Sequence, residues 1–212
     1  MAFSVDTFRS ALVYDGTRPN LFEFNLKFPA AVDIGTSLFG GVGNSSDVRF
    51  FCKSAVLPGS SIAAITVPYF GREVKVAGNR TFPEWSVNVI NDESFNIRNA
   101  FEAWHKAINS NVGNLRSRDA YATTSGGLRT DGYAVDCDVI QYGKDGSAIK
   151  AYKFVGLWPN DIGQIDLDWG SNDILEEFSV NFSYQYWKPT VSNERSSMGY
   201  RDVSDIQSIF DL

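Results

Sequence analysis

The sequence predicts a mainly β protein, an antiparallel β-sandwich or barrel with one packed amphipathic α-helix. Three observations carry this expectation. Phe178, Val180, Phe182, Tyr184 and Tyr186 alternate with Ser179, Asn181, Ser183 and Gln185, the period-two pattern of a strand with one buried face. Phe22, Phe24, Leu26 and Phe28 alternate in the same way with Glu23, Asn25 and Lys27. One long stretch instead follows helical spacing: Ile97, Phe101, Trp104 and Ile108 on one side, Arg98, Glu102 and Lys106 on the other.

In chain order, Ser4 is placed to cap a short helix with Val5, Phe8 and Leu12 on one side, ending near Gly16. Residues 21–28 form the first strand. The Gly/Ser-rich run 29–47 reads as a surface loop: Gly40-Gly41-Val42-Gly43 lacks the Lys-Ser/Thr and the helix of a phosphate-binding loop. A strand follows over 48–57, closed by Pro58-Gly59. Residues 66–82 read as a projecting hairpin turning at Gly71, with a further turn at Gly78-Asn79-Arg80. Trp85, Val87 and Val89 alternate with Ser86 and Asn88, another half-buried strand. Asn91 or Asp92 is expected to cap the long helix, with Glu93 favourable at its positive end.

Residues 109–130 are polar, with Arg116, Arg118 and Arg129 in a solvated loop or a basic contact patch. Tyr133, Val135, Cys137 and Val139 then face away from Ala134, Asp136 and Asp138, and Lys144-Asp145-Gly146-Ser147 turns the chain into a returning strand over 148–157. Leu157-Trp158-Pro159-Asn160 is expected to break that strand, because proline donates no ladder hydrogen bond. Ile165, Leu167 and Trp169 alternate with Asp166 and Asp168, a short strand, and 170–173 turn into the closing strand, completing a meander over 154–189.

Composition narrows the function. At 212 residues one domain is expected, with a possible appendage. The net charge of -6 opposes any grip on nucleic acid through its phosphates. Cys52 and Cys137 provide neither a disulfide framework nor a metal spacing. The N-terminal residues lack the features of a signal peptide and no apolar run reaches membrane-spanning length, so a soluble protein of a reducing cytoplasm is expected, in which the sequons at Asn44, Asn79 and Asn181 are chance matches.

Chemistry is sparse. The sole histidine, His105, has no carboxylate or cysteine at the spacing of a triad or metal site. Asp136 with Asp138, and Asp166 with Asp168, pair carboxylates on one strand face as a divalent cation needs, but the wet side of a strand explains them more simply. No catalytic residue, cofactor site or metal site is assigned. A many-stranded sheet has edges that must be covered or paired with another copy, so self-assembly is what the residues support unaided.

The motifs then carry a resemblance. Phe51-Cys52-Lys53-Ser54-Ala55-Val56-Leu57-Pro58, the run from Val76 through Gly78-Asn79-Arg80 to Trp85, Asn91-Asp92-Glu93 before the helix, and Leu157-Trp158-Pro159 through Leu167-Asp168-Trp169 to Tyr186-Trp187 closely resemble the tail tube protein of T-even-like contractile-tailed bacteriophages. The likeness spans residues 8–188, quite specific in the combination of its motifs. It implies a sandwich or barrel of the phage tail-tube type, shared with type VI secretion tubes, whose strands contribute to an inter-subunit β-barrel. It further implies hexameric rings stacked into a tube inside a contractile sheath, a virion component assembled in the host cytoplasm. The implied partners are the sheath, a baseplate tube-initiator, the tape-measure protein, and genomic DNA passing through the lumen without specific binding. By resemblance the hairpin is an inter-subunit or inter-ring arm, with Arg72, Glu73, Lys75 and Arg80 as candidate ion pairs, and Ser179, Asn181, Ser183 and Gln185 are candidates for the lumen wall.

Relative to shorter members of that family, residues 35–46 are an insertion and 190–212 a tail. The expected division is a tube domain over 1–188 and an extension over 189–212, either disordered or a small helix capped by Ser204 with Ile206, Ile209 and Phe210 on one side. A baseplate initiator, a type VI secretion tube and an enzyme using the paired aspartates are the alternatives.

Overall fold

The structure is a computed structural model that describes residues 4–12, 16–29, 51–115 and 132–190. The loop over 29–47 beyond its first residue, the arginines 116, 118 and 129, and the tail beyond Thr190 therefore lie outside the described residues.

Among the described residues the chain runs α1 (Val5–Ala11), β1 (Phe22–Leu26), β2 (Cys52–Ala55), β3 (Ser61–Tyr69), β4 (Arg72–Thr81), β5 (Trp85–Ile90), α2 (Asn96–Ile108), β6 (Val135–Tyr142), β7 (Ala148–Ile162), β8 (Glu177–Ser183) and β9 (Tyr186–Thr190). Seven strands form one antiparallel sheet in the order β1-β6-β7-β8-β5-β2, with β9 also paired to β7, while β3 and β4 form a separate ribbon. The mainly β, sandwich-like architecture with a packed helix is as expected.

The long strand β7 organises the sheet by serving both halves. Its N-terminal part lies between β6 and β9, with Phe154 opposite both Cys137 and Trp187. Its C-terminal part pairs β8, with Trp158 opposite Ser183 and Ile162 opposite Val180. The change occurs at Gly156, where φ is 68° and the register to β6 slips. A glycine takes this left-handed geometry without the Cβ clash that bends any other residue out of it. The Asp136 carboxylate accepts the Gly156 amide at 3.2 Å and so satisfies the donor that the bulge frees. The neighbouring strand breaks at the same level: the Gln185 amide donates to the Val155 carbonyl at 3.0 Å, and β8 gives way to β9. Gly156 and Gln185 thus lie on one fold line, and the sheet halves close over each other there.

Between the halves lies an aromatic core. Trp85 of β5 packs on Phe154 at 4.4 Å, on Phe24 at 5.3 Å and on Phe182 at 5.7 Å between ring centroids. The helix α2 closes the remaining side with Ile97, Ala100, Phe101 and Trp104, all fully buried. Phe101 meets Phe178 and Phe182, and the Trp104 indole donates to the Tyr133 carbonyl at 2.7 Å. Each fully buried side chain of this size contributes about 1.5–3 kcal/mol by leaving water. Cys137 is buried and Cys52 half-buried, both free, in the role of small apolar residues; burial pushes the Cys52 thiol up to about 12 and the Cys137 thiol also upward.

Several expectations need correction. Pro159 does not end β7, which continues to Ile162. The Pro159 carbonyl faces the His105 ring nitrogen at 3.2 Å, away from β8. In a strand the amide position of a residue points the same way as its carbonyl, so no ladder bond to β8 is lost. Residues 165–169 are not a strand: the alternation of Ile165, Leu167 and Trp169 finds no neighbour to pair with. Gly78-Asn79-Arg80 is not a turn but part of β4. A Cβ on Gly78 would lie 2.8 Å from the Ala63 carbonyl oxygen, so glycine permits the close approach of β3 and β4 where their register shifts. Phe178 to Tyr186 is two strands rather than one, divided at Tyr184–Gln185.

The cap of the short helix is as expected, whereas the long helix starts four residues beyond Asp92. Ser4 accepts the Thr7 amide to begin α1. Asp92 caps α2 from one turn upstream, its two carboxylate oxygens taking the Asn96 and Ile97 amides at 3.1 Å each, while Phe95 occupies the formal cap position at φ 55°.

Candidate functional site

The candidate site is a set of surfaces. The first is the outer face of the half-sheet β7-β8-β5-β2. Because Phe178, Val180 and Phe182 point inward, Ser179, Asn181 and Ser183 point outward. Across the ladders Ser179 lies opposite Asn88, and Asn181 opposite both Ser86 and Asp161, whose carboxylate accepts the Asn181 amide at 3.3 Å. The face is polar and carries the acid Asp161, and Lys53 at its margin is paired with Glu177. The structure brings Ser179, Asn181 and Ser183 together but sets Gln185 apart, at the fold line over Gly156.

The opposite half-sheet presents a charged face. Asn25, Asp138, Lys153 and Lys188 stand in one row across β1, β6, β7 and β9. Lys153 bonds the Asp136 carboxylate at 3.0 Å, which holds its ammonium above the usual lysine range. Partial burial raises the Asp138 carboxyl. The expected pairing of Asp136 with Asp138 is thus answered by lysine and a backbone amide. Asp168, the other expected partner in a carboxylate pair, ties a turn, accepting the Gly170 amide at 3.1 Å. Among the described residues no three His, Cys, Asp or Glu side chains converge as metal ligands. His105 is half-buried against Pro159, where desolvation lowers its pKa despite the carbonyl beside it.

The second surface is the β3–β4 arm. Its base is tied to the body: the Trp187 indole donates to the Gly59 carbonyl at 2.9 Å, the Trp85 indole donates to the Val56 carbonyl, and Phe82 packs on Tyr184 and Trp187. Its shaft, from Ser61 to Thr81, stands in solvent. The hairpin expected over 66–82 therefore begins earlier. Phe70 and Gly71 at the tip both have positive φ, as a two-residue I′ turn requires, and Phe70 is 92% exposed.

Register sorts the arm into two faces. Ile65 opposes Val76 and Val67 opposes Val74, with Tyr69 and Arg72 continuing that face toward the tip. Thr66 opposes Lys75 and Pro68 opposes Glu73 on the other. Arg72, Glu73, Lys75 and Arg80 are all exposed, and none pairs with an acid or base of its own chain among the described residues. The apolar face escaped the sequence reading, which looked to the charges. Its signal was the alternation of Ile65, Val67 and Tyr69 opposite Val74 and Val76, on a ribbon with no core of its own.

Solved structures share this architecture. The tube-terminating cap of the anti-feeding prophage aligns over 83% of this chain and 91% of its own, with TM-score 0.56 and 12% identity. The sheath-tube complex of an extracellular contractile injection system contains a chain aligning over 90% of this one and 99% of its own, with TM-score 0.51 and 12% identity. These likenesses place the chain in a fold class shared with proteins of contractile injection systems. Sequence narrows the class: the phage tail tube protein family matches residues 17–190, and the tail tube protein gp19 of Enterobacteria phage T4 is 31% identical over 175 residues, 82% of this chain and 92% of that one. A tail tube protein of Serratia phage KSP90 is 25% identical over 85% of this chain and 94% of its own. The chain belongs to the phage tail tube protein family and is a tail tube protein of contractile phage tails, a structural component of the virion.

Proposed function

We propose that this chain polymerises as stacked hexameric rings into the inner tube of a contractile tail, a conduit for genome ejection, and catalyses no reaction. The observation that carries the reading is the arm. A two-stranded ribbon is marginal in water by itself, and this one keeps an apolar face that no part of its own chain covers among the described residues. A neighbouring copy is the natural cover. The sheet agrees, since among the described residues β1, β2 and β9 each have a single partner strand and so an open edge, and closing a ring removes open edges.

In this tube Arg72, Glu73, Lys75 and Arg80 of the arm make ion pairs between subunits or rings. Ser179, Asn181 and Ser183, with Ser86 and Asn88 beside them, line the lumen, and Gln185 sits at its rim. A polar wall whose charge is the acid Asp161 lets DNA slide, because phosphate is held by lysine and arginine and this face offers neither unpaired among the described residues. The sheath, the baseplate initiator and the tape-measure protein are the other partners, and rings form in the host cytoplasm. Residues 1–188 form the tube body, and 189–212 are an extension to it.

Sedimentation velocity across a concentration series tests this, with a copy lacking residues 191–212 alongside. Growth from a six-subunit species to long polymers is expected, slowed by the truncation. Rings that never elongate would favour a baseplate initiator instead, and a chain monomeric at every concentration, even with preformed tube ends added, would sink the proposal.

A further inference from the structure

The loop between β7 and β8 holds large apolar side chains out in water. Trp169 is 100% exposed, and Leu167, Ile174 and Leu175 each leave more than half of their surface in water. A tight turn holds Trp169 out: Asp168 accepts the Gly170 amide on its carboxylate and the Ser171 amide on its carbonyl, at 3.1 and 3.2 Å. Residues 163–177 contain Asp166, Asp168, Asp173, Glu176 and Glu177 and no Lys, Arg or His. The segment is therefore acidic and apolar together, with Glu177 committed to Lys53 and Glu176 to Asn91.

The arm is its complement. Over residues 61–82 Arg72, Lys75 and Arg80 stand against a single acid, Glu73, in a chain whose net charge is -6. Ile65, Val67, Tyr69, Val74 and Val76 supply the matching apolar face. The nine residues of β3 span about 30 Å, enough to reach well beyond the body. The arm and the loop make no hydrogen bond, ion pair or ring contact with each other within the chain among the described residues.

The geometry points to a head-to-tail contact in which the β3–β4 arm of one copy docks on the 163–177 loop of a second copy, its apolar face against Trp169 and Arg72, which ends that face, against the acids, while Lys75 and Arg80 on the back of the ribbon add to its positive field. This deepens the tube reading and rests on it. The contact is heterologous, so each copy both offers an arm and receives one, and repetition propagates. The chain's opposite charges at the two sites also disfavour arm-on-arm and loop-on-loop pairing, which sets polarity.

Charge exchange between two variants tests the pairing. One carries Arg72→Glu and Lys75→Glu; the other carries Asp166→Lys and Asp173→Lys, leaving the Asp168 turn intact. Alone, each faces like charge at every contact, and its critical concentration for polymer formation is expected to rise at least roughly tenfold. Mixed one to one, both alternating contacts become complementary, and assembly should return toward the wild-type value in sedimentation. Circular dichroism matching wild type confirms folding of each variant. Wild type that assembles while the mixture does no better than either variant overturns the pairing and leaves the tube reading standing. Variants that each assemble as wild type does so too. Wild type that never assembles overturns the tube reading, and the pairing with it.

Discussion

Substituting alanine for Gly156 strikes the line on which the two half-sheets turn. The residue sits at φ 68°, where an L-side chain costs about 1–2 kcal/mol. The new Cβ would also come 3.0 Å from the Gln185 Cγ, a contact that a flexible side chain relieves, so the backbone term dominates. In a body of this size 1 kcal/mol corresponds to roughly 2–4 °C, and Gly156→Ala should melt about 2–8 °C lower. Asparagine tolerates the left-handed region better than alanine, so Gly156→Asn should lose less. Adding Gln185→Ala to the alanine variant should recover only a few tenths of a kcal/mol, the part owed to the side-chain contact. Urea denaturation followed by tryptophan fluorescence, below the concentration of assembly, gives the comparison, with an unchanged slope required. An alanine variant as stable as wild type, or an asparagine variant weaker than the alanine one, would refute the argument that conformation at Gly156 makes the corner.

Other substitutions probe other parts of the molecule. Trp85→Ala removes the ring that joins Phe24, Phe154 and Phe182 and should destabilise by about 3–5 kcal/mol in the same denaturation assay; a loss under 1 kcal/mol would mean the core lies elsewhere. Phe70→Asn suits the I′ turn and should favour the arm by about 1 kcal/mol, slowing amide exchange of β3 and β4 while weakening polymer formation; faster exchange would contradict the turn assignment. His105 titrates lower in the fold than its ordinary value of 6.5 because burial disfavours its charged form. The unfolded chain therefore binds the proton first, and stability falls as pH drops through about 6.5 and below, a slope that His105→Gln should flatten in denaturation at pH 7.5 against 5.5. With Cys52 pushed up to about 12, only about one thiol in ten thousand ionises at pH 8; iodoacetamide should label neither cysteine in the native chain and both in urea, as mass spectrometry would report.

Strands β1, β5, β6 and β8 were legible because each is buried on one face only, so burial wrote itself into alternation. The helix α2 was legible for the same reason at its own period. Alternation alone misled at Ile165, Leu167 and Trp169, where Ile165 packs on the core and the other two stay in water instead of marking a strand. Proline and glycine misled where tertiary pairing overrides local preference: Pro159 turns its donor-less side away from β8, and Gly78 marks a close approach of strands and not a turn. The corner at Gly156 left a glycine in the sequence but no clue to its partner, since Asp136 and Gln185 reach it only after β6 and the β8–β9 junction come alongside. For the assembly surfaces, the arm could be read as a hairpin and the row of Ser179, Asn181 and Ser183 as one face. The two faces of the arm could not, because they depend on the register that sets Ile65 against Val76.

The central claim is that copies of this chain close into rings and stack into a hollow tube. Negative-stain electron microscopy of the purified chain across a concentration series tests it most directly. Long hollow tubes of uniform width, with six subunits in end-on averages, are the predicted result. Solid or irregular aggregates, or particles that remain single subunits at every concentration even when tube ends are supplied, would contradict it.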